Sequence, residues 1–272
     1  MSDTAVEKIA HYGLRVFVLL GCLFLIVPLI AIIPVSFSSG SFLSYPLPGF
    51  SLQWYEKVLQ PDPWIYALKN SAIIAVCSTI FATALGTLAA YGLTVSDFKG
   101  RGFVLAIVIS PLVVPIVVVA LGVYFAFAQM GLVGTYFGII LAHTALGVPF
   151  VVITVLASLR SFDRQLVRAS ASLGSRPLTT FREVTFPLIA PGMMSGALFA
   201  FITSFDEAIV VIFLAGPQQT TLPRQLFAGL RDQLDPSIIA VSTLLILFTL
   251  SLLCALEFLR RRSARLMRPV EG

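Results

Sequence analysis

Charge is the scarcest property of this 272-residue sequence: 18 basic and 13 acidic side chains make up 11% of it, against 58% hydrophobic residues and a mean hydropathy of +0.96. Soluble domains carry about a quarter charged residues, so a soluble globular fold is excluded. Lysine is scarcer still. Lys8, Lys57, Lys69 and Lys99 are the only ones, and none stands in the glycine-rich context of a phosphate-binding loop, so this chain has no means of hydrolysing nucleotide by itself. Cys22, Cys77 and Cys254 all fall in apolar runs at no ligand spacing, which fits small packing residues and implies no disulfide or metal. His143 is alone in its apolar run with no histidine or carboxylate at helical spacing, the pattern of a packed or interhelical hydrogen-bonded side chain. There is no G-x-S-x-G, no H-E-x-x-H and no pair of carboxylates at catalytic spacing outside one apolar run. No catalytic residue is nominated, and the chain is not read as an enzyme.

What the chain has instead is apolar runs of membrane length. About 20 helical residues cross roughly 30 Å of hydrocarbon, and such runs recur at 14–35, 70–95, 102–130, 135–159, 188–216 and 236–257. The pattern predicts an all-α, polytopic membrane protein of six transmembrane helices, organised as a single domain over residues 1–272; a β-barrel would show short alternating segments. Residues 102–158 contain no charge and are too long for one crossing, so they double back, with Gly131 and Gly134 marking the turn. Pro28, Pro34, Pro111, Pro115 and Pro149 are read as kinks rather than breaks. The first run is read as an uncleaved helix, because its apolar region exceeds that of a signal peptide and no small-residue cleavage site follows.

Basic residues separate by loop. One side holds Lys8, Arg15, Lys99, Arg101, Arg160, Arg164, Arg168, Arg176, Arg182, Arg260, Arg261, Arg262, Arg265 and Arg268, and the other only Lys57, Lys69, Arg224 and Arg231. Cytoplasmic loops carry the excess of Lys and Arg, which predicts both termini inside. The formal charge of +5 then reflects topology and contact with anionic lipid, not nucleic-acid binding. On the outward side, residues 36–69 include Tyr45, Pro46, Leu47, Pro48 and Gly49 ahead of an amphipathic stretch around Trp54, Tyr55 and Leu59, which reads as an interfacial helix anchored by its aromatics.

The segment 160–187 is unlike the rest, polar and holding five arginines. Phe162, Leu166, Ala169 and Leu173 recur at helical spacing, with Ala169, Ser170, Ala171 and Ser172 keeping the helix slim enough for another protein's groove. Gly174 suits the left-handed residue that closes a helix, Pro177 the first turn of a second short one, and Pro187 its stop. These residues resemble the cytoplasmic loop of binding-protein-dependent ABC importer permeases, which reads E-A-A, three residues, Gly, nine residues, I-x-L-P. Here Arg168, Ala169 and Ser170 hold the first three places, Gly174 follows after three residues, and Val184, Thr185, Phe186 and Pro187 after nine more. The family's acidic residue is replaced by Arg168, which reverses the charge at the start of the motif.

Inside the fifth run lie Ser204, Phe205, Asp206 and Glu207, followed by Gly216, Pro217 and then Thr221, Leu222 and Pro223. Intramembrane carboxylates are costly and face a bundle interior or a watery path. With the helix starting near Pro191, Asp206 lies about 22 Å along it, and of the adjacent pair Asp206 is taken to face the path. A carboxylate paired with an Arg of a companion subunit, or hydrogen-bonded between helices, is an equally open reading at this point. The pattern is similar to that of the spermidine and putrescine type of permease, where an acidic pair holds this place.

The resemblance covers essentially the whole chain. It implies a type I importer permease of the bacterial inner membrane, moving a small cationic solute such as a polyamine by alternating access. Arg168, Ala169, Ser170, Leu173, Gly174 and Pro187 would couple to an ATPase, and Ser204, Asp206 and Glu207 would line the path. The implied partners are a second permease subunit, related or identical, two cytosolic ATPases that hold the ATP and Mg, a periplasmic or tethered binding protein, and membrane lipid. No cofactor is assigned to this chain. The alternative from another class is an ion-coupled secondary transporter or channel, using Asp206 and Glu207 for ion or proton coupling with no ATPase.

Overall fold

The computed structural model describes residues 5–42, 46–60, 63–161, 165–232 and 236–266. The described residues are helical and contain no strand, only an isolated bridge between Ser38 and Phe50. Contacts divide the chain into two units, one of residues up to 62 with Gly229–Phe248, the other of Pro63–Ala228 with the residues from Thr249 onward.

In the first unit α1 (Ala5–Val35) is a long apolar helix that continues through Pro28 and Pro34 without a break. The chain after it is strapped to the short helix α2 (Gln53–Leu59). Trp54 Nε1 donates to the Ser38 carbonyl at 2.8 Å, Tyr55 and Ser36 share a hydroxyl contact of 2.6 Å, and the Phe37 and Tyr55 rings lie 5.2 Å apart. The aromatics predicted for an interfacial helix are thus also its fasteners. Tyr45 and Arg268, named above, lie outside the described residues.

In the second unit α3 (Pro63–Val95), α6 (Tyr136–Ser161) and α9 (Phe186–Asp206) form the core. Ala82, Ala90, Leu93, Val151, Val155, Leu159, Ile189 and Ala200 pack into one apolar cluster. A second cluster joins Ile74 of α3 and Ile139, Ala142 and Leu146 of α6 to Ala120 of α5 (Ile116–Gln129) and to Val210, Val211 and Leu214 of α10 (Ile209–Leu214). At the triple junction Gly147 leaves room for Ala82 and Ala200; a Cβ added there would lie 3.0 to 3.1 Å from both.

The third run differs from the kinked span expected. α4 (Arg101–Ile109), with the 3-10 turn Ser110–Leu112, and α5 are bent by 103° at a break. Pro115 has no N–H to donate and its ring collides with the carbonyl four residues back, so a second proline so soon after Pro111 turns the kink into a break. Pro149 stays inside α6 as expected. Gly131 and Gly134 make the predicted turn at φ +68° and +76°.

The fifth run is corrected at both ends. Helix begins earlier, because α8 (Pro177–Thr180) runs through a π-helical turn, Phe181–Thr185, straight into α9. Pro187 therefore does not stop a helix; it sits in the first turn of α9. The wide π turn, in which Phe186 N–H bonds to the Phe181 carbonyl, loosens the backbone just where the proline ring would crowd the preceding turn. At the other end α9 stops at Asp206, Glu207 is extended, and α10 follows as a separate six-residue helix. α11 (Leu222–Asp232) and α12 (Ser237–Leu266) complete the chain.

Asn70, near the start of α3, bonds to Tyr136 at the start of α6 at 2.7 Å, while Leu93 near the end of α3 packs with Leu159 near the end of α6. The two helices are parallel, and α9 runs against both.

Candidate functional site

Two regions carry the nominated residues, at opposite ends of α9. At its start α7 (Gln165–Ser172) closes on Gly174, whose φ is +80°. Gly174 N–H bonds to the Ala171 carbonyl at 3.0 Å and Ser175 N–H to the Ser170 carbonyl at 3.2 Å, the paired bonds of a Schellman motif. A Cβ at Gly174 would meet nothing within 4 Å, so glycine is favoured there by the backbone conformation alone. Ser170 Oγ and Thr180 Oγ1, 3.0 Å apart, fix α7 to α8.

On the outer surface of this loop Leu166, Ala169 and Leu173 are exposed, Leu173 at 87%. Phe162 and Arg164 lie outside the described residues. Arg168 is exposed on α7 and its carbonyl accepts the Ser172 hydroxyl at 3.0 Å. Leu178, 77% exposed on α8, extends the apolar face and was missed from sequence; an apolar residue directly after a helix-starting proline in a polar loop was the available signal. Below it, Phe181 of the π turn packs edge-on to Tyr91 of α3 at 5.0 Å, tying the loop to the core.

From this end α6 and α9 are zipped together by small residues one turn apart. Gly192 faces Ser158 and the Thr154 carbonyl, Gly196 faces Thr154 and Val151, Ala200 faces Gly147, and Ser204 faces His143. The close approach is the packing expected of membrane helices, where small residues let backbones meet. The seam ends in a polar rivet: His143 Nδ1 and Ser204 Oγ are 2.8 Å apart, with both side chains buried. Ser204 is thus committed between helices.

One turn on, the acidic pair divides in role. Glu207 Oε1 accepts the Val210 N–H at 2.9 Å, capping α10 and holding the chain extended at the break. Asp206 is exposed and has no hydrogen-bonding or ionic partner among the described residues. Of the two, Asp206 is the more exposed and the one whose carboxylate accepts no hydrogen bond among the described residues.

Beyond the break, the Gly216–Pro217 and Thr221–Pro223 stretch is knitted to α3. Asn70 Nδ2 donates to the carbonyls of Gln218 and Thr220 at 2.9 Å each, Ser71 Oγ accepts the Leu222 N–H at 2.8 Å, and Arg224 reaches the carbonyls of Ala215 and Gly216. A cavity of about 680 Å³ opens here, lined by residues that include Lys69, Asn70, Tyr136, Gln218 and Gln225.

The chain is thus a membrane-spanning α-helical protein of the transport-permease class, with a polar loop bearing exposed leucines at one end of α9 and, at the helix break at the other, a carboxylate with no partner among the described residues. Residues 82–269 match the family described as binding-protein-dependent transport system inner membrane component, and the chain belongs to that family. It is 33% identical over 242 residues to the putrescine transport system permease protein PotI of Escherichia coli (strain K12), covering 85% of this chain and 84% of the relative. It is also 29% identical over 238 residues to the spermidine/putrescine transport system permease protein PotC of the same strain, covering 88% and 90%. Among solved structures it is similar to a bacterial ABC transporter involved in the import of the acidic polysaccharide alginate, with a TM-score of 0.77, 16% identity, and 94% of this chain and 98% of that one covered. At that identity the likeness shows the fold, that of a type I ABC importer permease.

Proposed function

We propose that this chain is the permease subunit of an ATP-driven importer for a small linear polyamine such as putrescine or spermidine. The observation that carries the reading is Asp206, a carboxylate exposed at the end of α9 with no partner among the described residues. Such a group within a membrane span is a functional site by default, and its charge suits a cation. Likeness to polyamine permeases over most of the chain supports the same substrate class. Glu207 and Ser204 hold the path's shape, one as a cap on α10 and the other as the partner of His143.

At the other end Ala169, Ser170, Leu173 and Gly174, with Arg168 on the same helix, form the surface that a cytosolic ATPase grips. Pro187 starts the helix that carries the motion away. Closure of two ATPases on ATP and Mg pushes this loop, and the α6–α9 seam conveys the push as a rigid pair to the Asp206 break, opening the path outward. The remaining partners are a second permease subunit and a binding protein on the outer face. The chain acts as one transmembrane domain in the bacterial inner membrane, with both termini cytoplasmic.

The test is uptake of radiolabelled putrescine and spermidine by the complete complex in proteoliposomes. Asp206→Asn should lower uptake at least about tenfold while leaving assembly intact. Wild-type complex that transports neither amine, or an Asp206→Asn complex with unchanged kinetics, would overturn the assignment.

A further inference from the structure

Between Glu183 and Asp206 the sequence has no Asp or Glu, and α3, α4, α5 and α6 contain none either. A cation moving inward from Asp206 therefore meets no carboxylate of these helices through the middle of the bilayer, where an unpaired charge costs most. The electron-rich surface at that depth is aromatic. Phe150, the fifteenth of the 26 residues of α6, stands at its midpoint and stacks on Phe199 of α9, with ring centroids 6.1 Å apart and planes at 20°. Phe199 is 40% exposed. It precedes Asp206 by seven residues, two helical turns, and so lies on the same stripe of α9. A stripe that carries an exposed intramembrane carboxylate faces water rather than hydrocarbon, which turns Phe199 toward the same space.

We infer that the Phe150–Phe199 pair is a second cation subsite, about 10.5 Å along α9 from Asp206, and that the two together favour linear polyamines long enough to reach both. The inference rests on the cationic substrate proposed above and adds selection by length. A ring face attracts an ammonium within about 6 Å of its centroid, most strongly where water is excluded. A triamine can place one terminal ammonium at Asp206 and the other over Phe199. A four-carbon diamine spans roughly half that distance and engages one subsite at a time.

The experiment compares initial uptake of spermidine, putrescine and n-butylamine by the full complex in proteoliposomes, with saturating loaded binding protein. In Phe199→Leu, which keeps apolar bulk and removes the ring, the spermidine-to-putrescine rate ratio should fall about tenfold. Phe199→Tyr should restore it, and Phe150→Leu should give a smaller fall. Co-purification of all subunits confirms that each variant assembles. Amine uptake with an unchanged ratio in an assembled Phe199→Leu complex overturns the subsite and leaves the proposed substrate class standing; the pair then faces lipid. Failure of all variants to assemble, including Phe199→Tyr, assigns the pair to packing and overturns the subsite as well. Wild-type complex that imports no amine overturns both proposals.

Discussion

At Gly174 the demand is on the backbone, and at Ser204 it is on a neighbour. Gly174 has φ +80° with empty space where a Cβ would stand, so a substitution acts only through conformational strain. A left-handed residue with a side chain costs about 1–2 kcal/mol, least for Asn and more for a β-branched residue. Gly174→Val should therefore loosen the end of α7 and weaken ATPase co-purification, while Gly174→Asn should stay close to wild type. Equal behaviour of the two variants would mean that the cap does not matter for docking. Ser204→Ala removes the hydrogen-bonding partner of His143 Nδ1, and Nε2 already has none in the described structure. Leaving a buried polar group unsatisfied costs about 1–3 kcal/mol, so the melting temperature of the purified protein should fall. Asp206→Asn, at an exposed side chain with no partner among the described residues, should leave that temperature unchanged. This contrast in stability separates a packing residue from the proposed ligand residue two positions away.

Among the helices, the proposed transmission runs through the seam between α6 and α9. A Cβ at Gly196 would lie 2.5 Å from Thr154 Oγ1 and 2.7 Å from the Val151 Cα, and the latter, being backbone, cannot turn aside. Gly196→Ala should cost about 1–3 kcal/mol by overpacking and should uncouple ATP hydrolysis from uptake as the pair separates. The control is Gly92→Ala in α3, where a Cβ meets nothing within 4 Å and the change should be neutral or stabilising by up to about 1 kcal/mol. A Gly196→Ala complex as stable and as tightly coupled as that control would remove the seam from the mechanism. How these elements were readable from sequence differs for physical reasons. Spans are legible because hydrocarbon demands unbroken apolar length, and Gly174 because positive φ favours one residue type. The break at Asp206 was hidden, since it depends on Glu207 finding the Val210 N–H rather than on hydropathy. His143 announced itself as a packed or bonded side chain, yet its partner lies 61 residues away, beyond any local pattern. The 103° bend at Pro111 and Pro115 was signalled by both prolines but underestimated, because two of them four residues apart act together.

For the whole chain, the number of crossings decides where the termini lie, and the bent α4–α5 pair is the element on which that number turns. Five helices are long and apolar enough to span by themselves, and the pair makes a sixth only if it crosses rather than re-enters. The parallel course of α3 and α6 settles which. α3 ends beside Leu159 and Phe181, at the end that bears α7 and α8, whereas α6 begins at Tyr136 beside Asn70, at the opposite end. The chain between them must travel from one end to the other, so α4 and α5 together make one crossing despite the bend. With one crossing each for α1 and α12 as well, the proposed cytoplasmic placement of both termini agrees with the excess of basic residues at Lys99, Arg101 and the arginines of residues 160–182. Reporter fusions test this directly. Fluorescent-protein fusions after Phe98 and at the C-terminus should both glow, as cytoplasmic domains do. Alkaline phosphatase inserted between Gly131 and Gly134 should be active, as it is only outside. A Gly131–Gly134 fusion that reports the cytoplasm would make α4–α5 a re-entrant loop. It would also break the parallel course of α3 and α6 on which the proposed coupling route from Gly174 to Asp206 depends.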